Sequence, residues 1–399
     1  MNAAIFDVLA AEFGESVTRS RTGEPRVAPP SLNALAAALG LAHRHGWRVR
    51  IEGRGTWMPP DAPADLAVTT GRLDTLVSIA PADLVATAQT GIQWQRLRAR
   101  LAEHRTRVAI DPPGSSDRSL GSVLATATSG SLAHRFGPVR DHILGTTVAT
   151  GDGRLVRSGG VVVKNVAGFD LTKLAVGGFG GFGVIAEVNL RLRSLPAAQR
   201  LLTARASLDD LFHAGRDLVA ADVDAAAVEL VSPDGGQHWH LLVTLSGTRD
   251  GVAAEAARAA TLGASVGLAA IEGDAFAGVA EGSLDGPVAI RAGALPPSFP
   301  DTVELILARL GPGTIGGGLG RGGLRWCGTT SADALLELRR ELAAREIPLT
   351  LERAPWPIRS AVGHFGAYRE GLQGLSDRLR QVFDPDRILV TPLEGSAGG

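Results

Sequence analysis

The fold of this chain is most constrained by the order of elements around one glycine-rich segment, GGFGGFG at residues 177–183. It contains a G-x-G-x-x-G pattern, which in a dinucleotide-binding βαβ unit follows a strand and opens a helix. Here the order is reversed, because helix-like FDLTKLAV precedes the pattern and the alternating, strand-like VIAEVNLRLR follows it. The G-x-x-x-x-G-K-[ST] pattern of a P-loop is also absent. The sequence therefore excludes both of these nucleotide-binding architectures.

Three glycine turns nevertheless lie beside predicted strands in the first half of the chain. They are residues 53–56, residues 120–122 with the small-residue run to 130, and residues 180–183. Because glycine has no Cβ, such turns let backbone amides approach an anion closely. Any one of them is also explained by the needs of a tight turn alone. Their collection in one predicted domain favours a shared surface for a long diphosphate ligand such as FAD.

Net charge and cysteine content exclude several classes of function. The formal net charge of -1 provides no overall attraction to nucleic acid or to an anionic membrane. Cys327 is the single cysteine, so the chain can hold neither a disulfide framework nor an iron–sulfur or zinc site made of its own thiolates. His238 and His240 share one face of a predicted strand, but no third ligand accompanies them. They are interpreted as a surface pair, and no metal site is expected.

The sequence predicts no membrane-crossing segment. Residues 1–17 form an amphipathic pattern with acidic residues and lack the basic and apolar regions of a signal peptide. No apolar run approaches the roughly 20 residues that span a bilayer. The expected localisation is therefore cytoplasmic.

Patterning divides the chain into three predicted parts of an α+β fold. Residues 1–196 alternate short strands with helices, one of them capped by Ser31 and ended by Gly46, and residues 111–137 are predicted to be mostly loop. Residues 197–350 repeat a strand–helix pattern in two halves, which predicts antiparallel strands with helices on one side. Residues 351–399 contain a last predicted helix, LQGLSDRLRQVF, and a closing segment.

Several segments resemble, in their order, those of one flavoprotein family. They are GWRVRIEGRGT (46–56), DLVATAQTGIQW (83–94), DPP (111–113), GSVLATATSG (121–130), RFGPVRDHILG (135–145), VVKNVAGFDLTKL (162–174) and GGFGGFGVIAEV (177–188). Together they are similar to the flavoproteins of vanillyl-alcohol oxidase type, and VKNVAGFDLTKL resembles the E-type subunits of glycolate oxidase. The resemblance implies a two-part PCMH-type FAD-binding domain, an α+β, ferredoxin-like cap domain, and a C-terminal segment, FDPDRIL, that returns to the FAD domain.

The resemblance also implies which residues hold FAD. Residues 53–56 would lie along the pyrophosphate, residues 121–130 along the phosphates and ribityl chain, and residues 180–184 near the adenine or ribose. Binding would be non-covalent, since the histidine that anchors flavin in some relatives has no counterpart in EGRGT. Arg54 replaces the middle glycine of the family's usual loop, and it either contacts a phosphate or points to solvent. The implied cofactor-binding residues are Gly53, Arg54, Gly55, Thr56, Thr90, Gly91, Pro113, Gly121, Ser122, Thr126, Gly130, Asp141, Gly180, Gly183 and Val184.

Catalytic residues are indicated less clearly than cofactor-binding residues. Oxidation of a 2-hydroxy acid needs a cation for the carboxylate and a base for the hydroxyl proton. Arg321 and Arg325, in the glycine-rich GGGLGRGGLRWCG, are the candidate cations, and His364 is a further candidate. Solvated arginines on a glycine-bulged strand are the alternative. The H-x-G-D-G-N-x-H segment of the related D-type subunits is absent from this sequence.

The resemblance therefore implies an FAD-binding subunit of a glycolate oxidase-type complex, which oxidises glycolate to glyoxylate. Its implied partners are a paralogous D-type flavoprotein subunit and an iron–sulfur subunit. Such a complex could hold the chain peripherally at the inner face of the cell membrane. Two alternatives stay open: a free-standing FAD-dependent 2-hydroxy-acid oxidase or dehydrogenase, and a flavin-free scaffold that binds partners.

Overall fold

The structure, a computed structural model, describes residues 2–161, 171–271, 286–320, 323–366 and 372–391. The candidate cation Arg321 and residues 162–170 of the family-like segment lie outside these ranges. None of the described helices is long and apolar enough to cross a bilayer. The α-helices are Asn2–Phe13, Leu32–His45, Trp94–Ala102, Leu120–Thr126, Ala133–Phe136, Leu208–Ala220, Arg249–Leu262, Phe299–Leu310, Ala332–Ala344, Trp356–Val362 and Leu372–Phe383.

The first sheet carries parallel strands whose carboxyl ends share one edge. Its order is β1-β2-β4-β3, with β3 and β2 both parallel to β4. Its helix Leu32–His45 confirms the predicted caps, because the Ser31 side chain accepts the Ala34 N–H and Gly46 adopts a left-handed φ of 66°. The strands are β1 (Val17–Arg19), β2 (Pro25–Val27), β3 (Val49–Glu52) and β4 (Leu66–Thr69).

The second sheet is antiparallel, in the order β5-β6-β10-β8-β9. The predicted alternation of VIAEVNLR is confirmed in β10, and the predicted hairpin around GDG joins β8 to β9. The strands are β5 (Leu76–Ala80), β6 (Val85–Gln89), β8 (Ile143–Ala149), β9 (Leu155–Gly159) and β10 (Val184–Arg191), while β7 (Thr106–Arg107) and β11 (Arg193–Ser194) form a separate ribbon.

One helix lies where the sequence predicts mainly loop. Helix Leu120–Thr126 begins at Ser119, whose side chain accepts the Ser122 N–H, and it buries Leu120 and Val123 in the core of the second sheet. Its serine and threonine residues have weak helix propensity, since their side chains compete for backbone hydrogen bonds. Burial of the apolar face therefore stabilises a helix that the local sequence does not indicate. The opposite holds for FDLTKLAV, which the sequence predicts to be helical. Within its described residues, only 171–173 form a short 3₁₀ turn.

The third sheet contains eight described strands, all antiparallel, in the order β15-β12-β14-β13-β17-β18-β16-β19. Each half follows a β-α-β-β-α-β order, and the halves join where β13 pairs with β17. This confirms the predicted ferredoxin-like α+β cap. The strands are β12 (Ala198–Ala206), β13 (Ala225–Ser232), β14 (Trp239–Gly247), β15 (Ala269–Ala270), β16 (Val288–Ala292), β17 (Gly313–Gly318), β18 (Leu324–Gly328) and β19 (Leu349–Arg353).

The two faces of this third sheet differ in character. Alternate residues such as Val228, Leu230 and Trp326 share an apolar core with the cap helices. The residues between them, including Glu229 and Arg325, point to the opposite face, which lies toward the N-terminal part of the chain. A polar sheet face is thereby presented to the part of the protein that contains the glycine turns.

The C-terminal segment returns to the first sheet, as the resemblance implies. Helix Leu372–Phe383 has the predicted bounds. Beyond it, the Val49 N–H donates to the Ile388 carbonyl at 2.7 Å, and the Val390 N–H donates to the Val49 carbonyl at 2.9 Å. The domain boundaries after residues 196 and 350 stay predictions.

Candidate cofactor-binding site

A pocket of about 480 Å³ lies among the segments that follow β3, β4 and β6. Helix Leu120–Thr126, the turn before β10, and residues 356–364 and 390–391 complete its wall. The pocket lies beyond the carboxyl ends of the parallel strands β3 and β4, the edge at which ligands bind in many sheets with parallel strands. Its volume is within the range of roughly 300–1,000 Å³ typical of cofactor and small-molecule sites.

Most of the residues implied to bind FAD meet at this pocket. They come from four separate segments of the chain, and the tertiary fold alone brings them together. Those that line the pocket are Gly53, Arg54, Gly55, Thr56, Thr90, Gly121, Ser122, Thr126, Gly180, Gly183 and Val184. Their contact with FAD stays a prediction.

Four other implied cofactor residues are not in this pocket wall, namely Gly91, Pro113, Gly130 and Asp141. A Cβ on Gly91 or Gly130 would lie 1.9 Å from a backbone oxygen of a neighbouring segment, so both glycines are required by packing. Pro113 is buried, and the Asp141 side chain is 49% exposed at the surface. The structure thus gives these glycines a packing role.

The glycines that line the pocket fall into two groups. A Cβ on Gly53 would lie 2.4 Å from Ser119 Oγ, and one on Gly183 would lie 2.5 Å from the carbonyl oxygen of Ala149. Close packing therefore requires both. Gly180 differs, because its φ is 79° and, apart from its chain neighbours, no atom of the described residues lies within 4 Å of the position of its Cβ. Its missing side chain leaves pocket space that a ligand can occupy.

Arg54 is a cation on the pocket wall that is available for an anion. It is exposed and makes no hydrogen bond or ion pair with any described residue. Other arginines in the wall are held by carboxylates: Arg50 by Glu24 and Glu52, and Arg359 by Asp61. An unpaired guanidinium beside a glycine turn fits a phosphate ligand.

Arg118 supports the pocket wall from behind, and it is not among the residues that the sequence analysis predicts for the site. Its side chain is fully buried, and it donates to the Pro113 carbonyl at 2.6 Å, to Thr128 Oγ1 at 2.9 Å and to Thr126 Oγ1 at 3.1 Å. Its guanidinium lies 4.3 Å from the centroid of the Trp57 ring. Burial lowers the pKa of Arg118 to about 9. The feature of the sequence that could have indicated this role is a single arginine among the small residues of SSDRSLGS (115–122).

The described catalytic candidates do not meet in the pocket. His364 lines it, with Nδ1–H donating to the Leu351 carbonyl at 2.7 Å, and burial lowers its pKa to about 4. The ring is therefore neutral at pH 7. Arg325 lies on the cap sheet and is outside the pocket wall, donating to Glu352 at 2.7 and 3.2 Å. A catalytic role for either residue stays a prediction.

Known proteins resemble this chain mainly in its N-terminal part. Residues 25–159 match a family described as an FAD binding domain. Glycolate oxidase subunit GlcE of Escherichia coli (strain K12) is 35% identical over 136 residues, which are 34% of this chain and 39% of that protein. The mitochondrial D-lactate dehydrogenase (cytochrome) of Arabidopsis thaliana is 38% identical over 115 residues, 29% of this chain and 20% of that protein. Glycolate oxidase subunit GlcD of Bacillus subtilis (strain 168) is 24% identical over 209 residues, 51% of this chain and 44% of that protein.

The matched region thus spans less than half the length of each of these relatives. Among solved structures, alkyldihydroxyacetonephosphate synthase has a TM-score of 0.70 at 14% identity, covering 93% of this chain and 77% of that one. That likeness shows a shared fold across both sheets and the cap. Residues 25–159 thus match an FAD binding domain, and the whole chain shares its fold with a known structure.

Proposed function

We propose that this protein is the FAD-binding subunit of an oxidoreductase complex that oxidises a small 2-hydroxy acid, with glycolate as the first candidate. The pocket carries the proposal, because it joins glycine turns, an unpaired arginine and the implied cofactor residues in a volume of about 480 Å³. Bound FAD would supply the two-electron oxidising power. The relatives named as glycolate oxidase subunits and D-lactate dehydrogenases favour this class of substrate.

The residues of the wall fit FAD in chemistry as well as in space. The backbone of residues 53–56 and the free guanidinium of Arg54 would hold the pyrophosphate. The open side of Gly180 would leave room for the nucleotide, and Ser122 and Thr126 would offer hydroxyl groups. Binding would be non-covalent, since the segment EGRGT has no counterpart of the histidine that anchors flavin in some relatives.

The role of a subunit is supported by the cysteine content. With Cys327 as its single and buried cysteine, the chain cannot hold an iron–sulfur cluster on its own thiolates. Electrons from the flavin would therefore pass to an iron–sulfur subunit, and a paralogous D-type flavoprotein would be the other partner. We place the assembly in the cytoplasm, peripheral to the inner face of the membrane.

The test is the visible spectrum of the purified chain, alone and then reconstituted with candidate D-type and iron–sulfur subunits. We expect a yellow protein whose flavin is released by denaturation. Anaerobic glycolate or D-lactate should bleach the flavin in the complex and leave the isolated chain yellow. Bleaching of the isolated chain would instead establish a free-standing enzyme. A colourless chain that does not take up added FAD would overturn the proposal.

A further inference from the structure

His364 has one ring nitrogen that faces the cofactor pocket. The residue lines the pocket and is only 5% exposed. Its Nδ1–H donates to the Leu351 carbonyl at 2.7 Å, whereas Nε2 makes no hydrogen bond with any described residue. Nε2 is not one of the fully buried side-chain atoms that lack a partner, so it keeps an accessible surface. That surface opens into the pocket that the ring lines.

The ring is held in this orientation by strand β19 of the cap. The Leu351 N–H donates to the backbone carbonyl of His364 at 2.7 Å, so the two residues exchange two hydrogen bonds. Arg339 donates to the carbonyls of Val362 and Gly363, which fixes the backbone just before His364. Because a carbonyl only accepts, the proton of the neutral ring is on Nδ1, and Nε2 is an acceptor. The fold thus selects one tautomer.

The acceptor character of Nε2 determines which ligand groups suit it. Burial, and then the charge of Arg359, lowers the pKa of His364 to about 4, so the ring is uncharged at pH 7. Phosphate and carboxylate oxygens only accept hydrogen bonds, and they are therefore poor partners for this atom. The guanidinium of Arg54, elsewhere on the wall, has the opposite preference. The ligand group that faces His364 must carry an O–H or an N–H.

Flat aromatic surface lies beside this acceptor. The Phe179 ring lines the pocket with its centroid 5.5 Å from that of the imidazole, and the Phe365 ring packs edge-on against it at 5.3 Å. Phe179 has a left-handed φ of 48°, which is uncommon for a residue with a side chain. Its N–H donates to the Ala125 carbonyl at 2.9 Å, and its carbonyl accepts from Thr391 Oγ1 at 3.3 Å. Strained residues concentrate at ligand sites, and planar rings pack well against aromatic side chains.

We propose that His364 is a cofactor-binding residue whose Nε2 accepts a hydrogen bond from an N–H group on a planar ring of FAD, beside the Phe179 ring. This inference rests on the proposed function. The adenine ring has an exocyclic amino group and the isoalloxazine ring has one N–H, so both rings offer the same donor chemistry. In this role Nε2 accepts a hydrogen bond without taking up a proton, which suits a ring that stays neutral.

The test measures the dissociation constant of FAD for the full-length chain with substitutions at residue 364. His364→Asn keeps an amide donor for the Leu351 carbonyl and removes the acceptor, whereas His364→Phe removes both. His364→Gln can place its amide oxygen near the former position of Nε2. We expect H364N and H364F to weaken FAD binding by about 5- to 100-fold, the effect of a buried donor left without its acceptor. H364Q should restore most of the affinity, and thermal unfolding without FAD checks the fold.

His142→Asn is the matched control. His142 is equally buried, at 2% exposed, but it lies outside the pocket wall. H142N should bind FAD with an affinity close to that of wild type. FMN and ADP, titrated separately, carry one ring system each and identify the partner ring. A loss of ADP affinity in H364N assigns the adenine, and a loss of FMN affinity assigns the isoalloxazine.

Nitrogen-15 NMR of the imidazole provides a readout that a purely structural role would not change. The wild-type ring should show a protonated Nδ1 and an unprotonated Nε2 at pH 7, and saturating FAD should shift the Nε2 resonance. A proton on Nε2, an Nε2 resonance that FAD leaves unchanged, or wild-type FAD affinity in H364N would overturn this inference and leave the proposed function intact. A wild-type chain that takes up no FAD would instead overturn the proposed function, and this assignment with it.

Discussion

At the scale of single residues, neighbouring glycines of one turn serve different purposes. Gly183 has a φ of 113° and packs against the carbonyl of Ala149, so its lack of a side chain is needed for the fold. Gly180 has a φ of 79° with no atom near the position of a Cβ, and it lines the pocket. Packing therefore explains why residue 183 is a glycine. At residue 180, glycine is explained by the turn conformation and by the pocket space that its missing side chain leaves for a ligand.

Gly180→Leu is expected to weaken FAD binding by about tenfold or more, because the new side chain would enter the pocket. Gly311→Leu is the matched control, since Gly311 also has a φ of 79° and no atom within 4 Å, but it lies outside the pocket wall. Both variants should lose about 1–3 kcal/mol of unfolding free energy, because a leucine at a positive φ is strained. FAD titration and urea denaturation measure the two effects. Equal FAD affinity in the two variants would contradict the placement of this turn.

At the scale of elements, the segment after helix Leu372–Phe383 is held by one buried carboxylate. Asp384 is fully buried and accepts the backbone N–H groups of Ile388 at 3.0 Å and Leu389 at 3.1 Å. It also accepts from Arg380, which is equally buried, at 3.3 Å. This network directs residues 390 and 391 into the pocket wall. The C-terminal segment thus forms part of the pocket wall.

Asp384→Ala is expected to cost about 3–5 kcal/mol of unfolding free energy, because it leaves the Arg380 charge and two backbone amides without this acceptor. FAD affinity should fall as well, since residues 390 and 391 would lose their position. Asp386→Ala is the control, since the Asp386 side chain is 61% exposed and, among the described residues, pairs with His43 alone. This variant should lose less than about 1 kcal/mol of unfolding free energy. Urea denaturation and FAD titration test both. A similar cost for the two variants would show that the buried network does not hold the segment.

At the scale of the whole molecule, Trp57 joins the FAD-binding part to the cap. Its ring is 1% exposed and packs with Ala289 and Cys327 on the polar face of the cap sheet. The guanidinium groups of Arg118 and Arg353 lie 4.3 and 5.0 Å from its ring centroid. Since aromatic burial and cation–π contact both favour this arrangement, the Trp57 side chain couples the two parts, beside the contacts that Arg135 makes with Asp224 and Ser246.

Trp57→Ala should cost about 3–5 kcal/mol and separate thermal unfolding into two transitions, because the buried aromatic contact between the parts would be lost. Calorimetry measures both effects. Trp47→Ala provides the comparison, since Trp47 is only partly buried and stacks on His45 at 4.4 Å. Trp47→Ala should lose less unfolding free energy than Trp57→Ala and keep the wild-type number of thermal unfolding transitions. A single, wild-type-like transition in W57A would contradict the coupling.

Local patterns were sufficient to predict many elements and the FAD binding domain that residues 25–159 match. The caps at Ser31 and Gly46, the alternation in β10 and the bounds of helix Leu372–Phe383 depend on neighbours a few residues away, so the sequence carries them directly. The repeated strand–helix order of the two halves of the cap is likewise predicted by local patterns in the sequence. Helix Leu120–Thr126 was missed because burial, rather than helix propensity, stabilises it.

The sequence by itself determined the resemblance to FAD-binding flavoproteins through its motifs. It also determined the glycine turns and many of the helices and strands, since short-range hydrogen bonding and periodicity decide these. Only the tertiary structure decided which glycine faces open space, since the environment of Gly180 or Gly91 depends on segments distant in the chain. It also decided that Arg118 is buried behind the pocket wall, where it donates to Thr126 and Thr128. Burial at such sites arises from packing between segments distant in the chain, which a linear pattern does not determine.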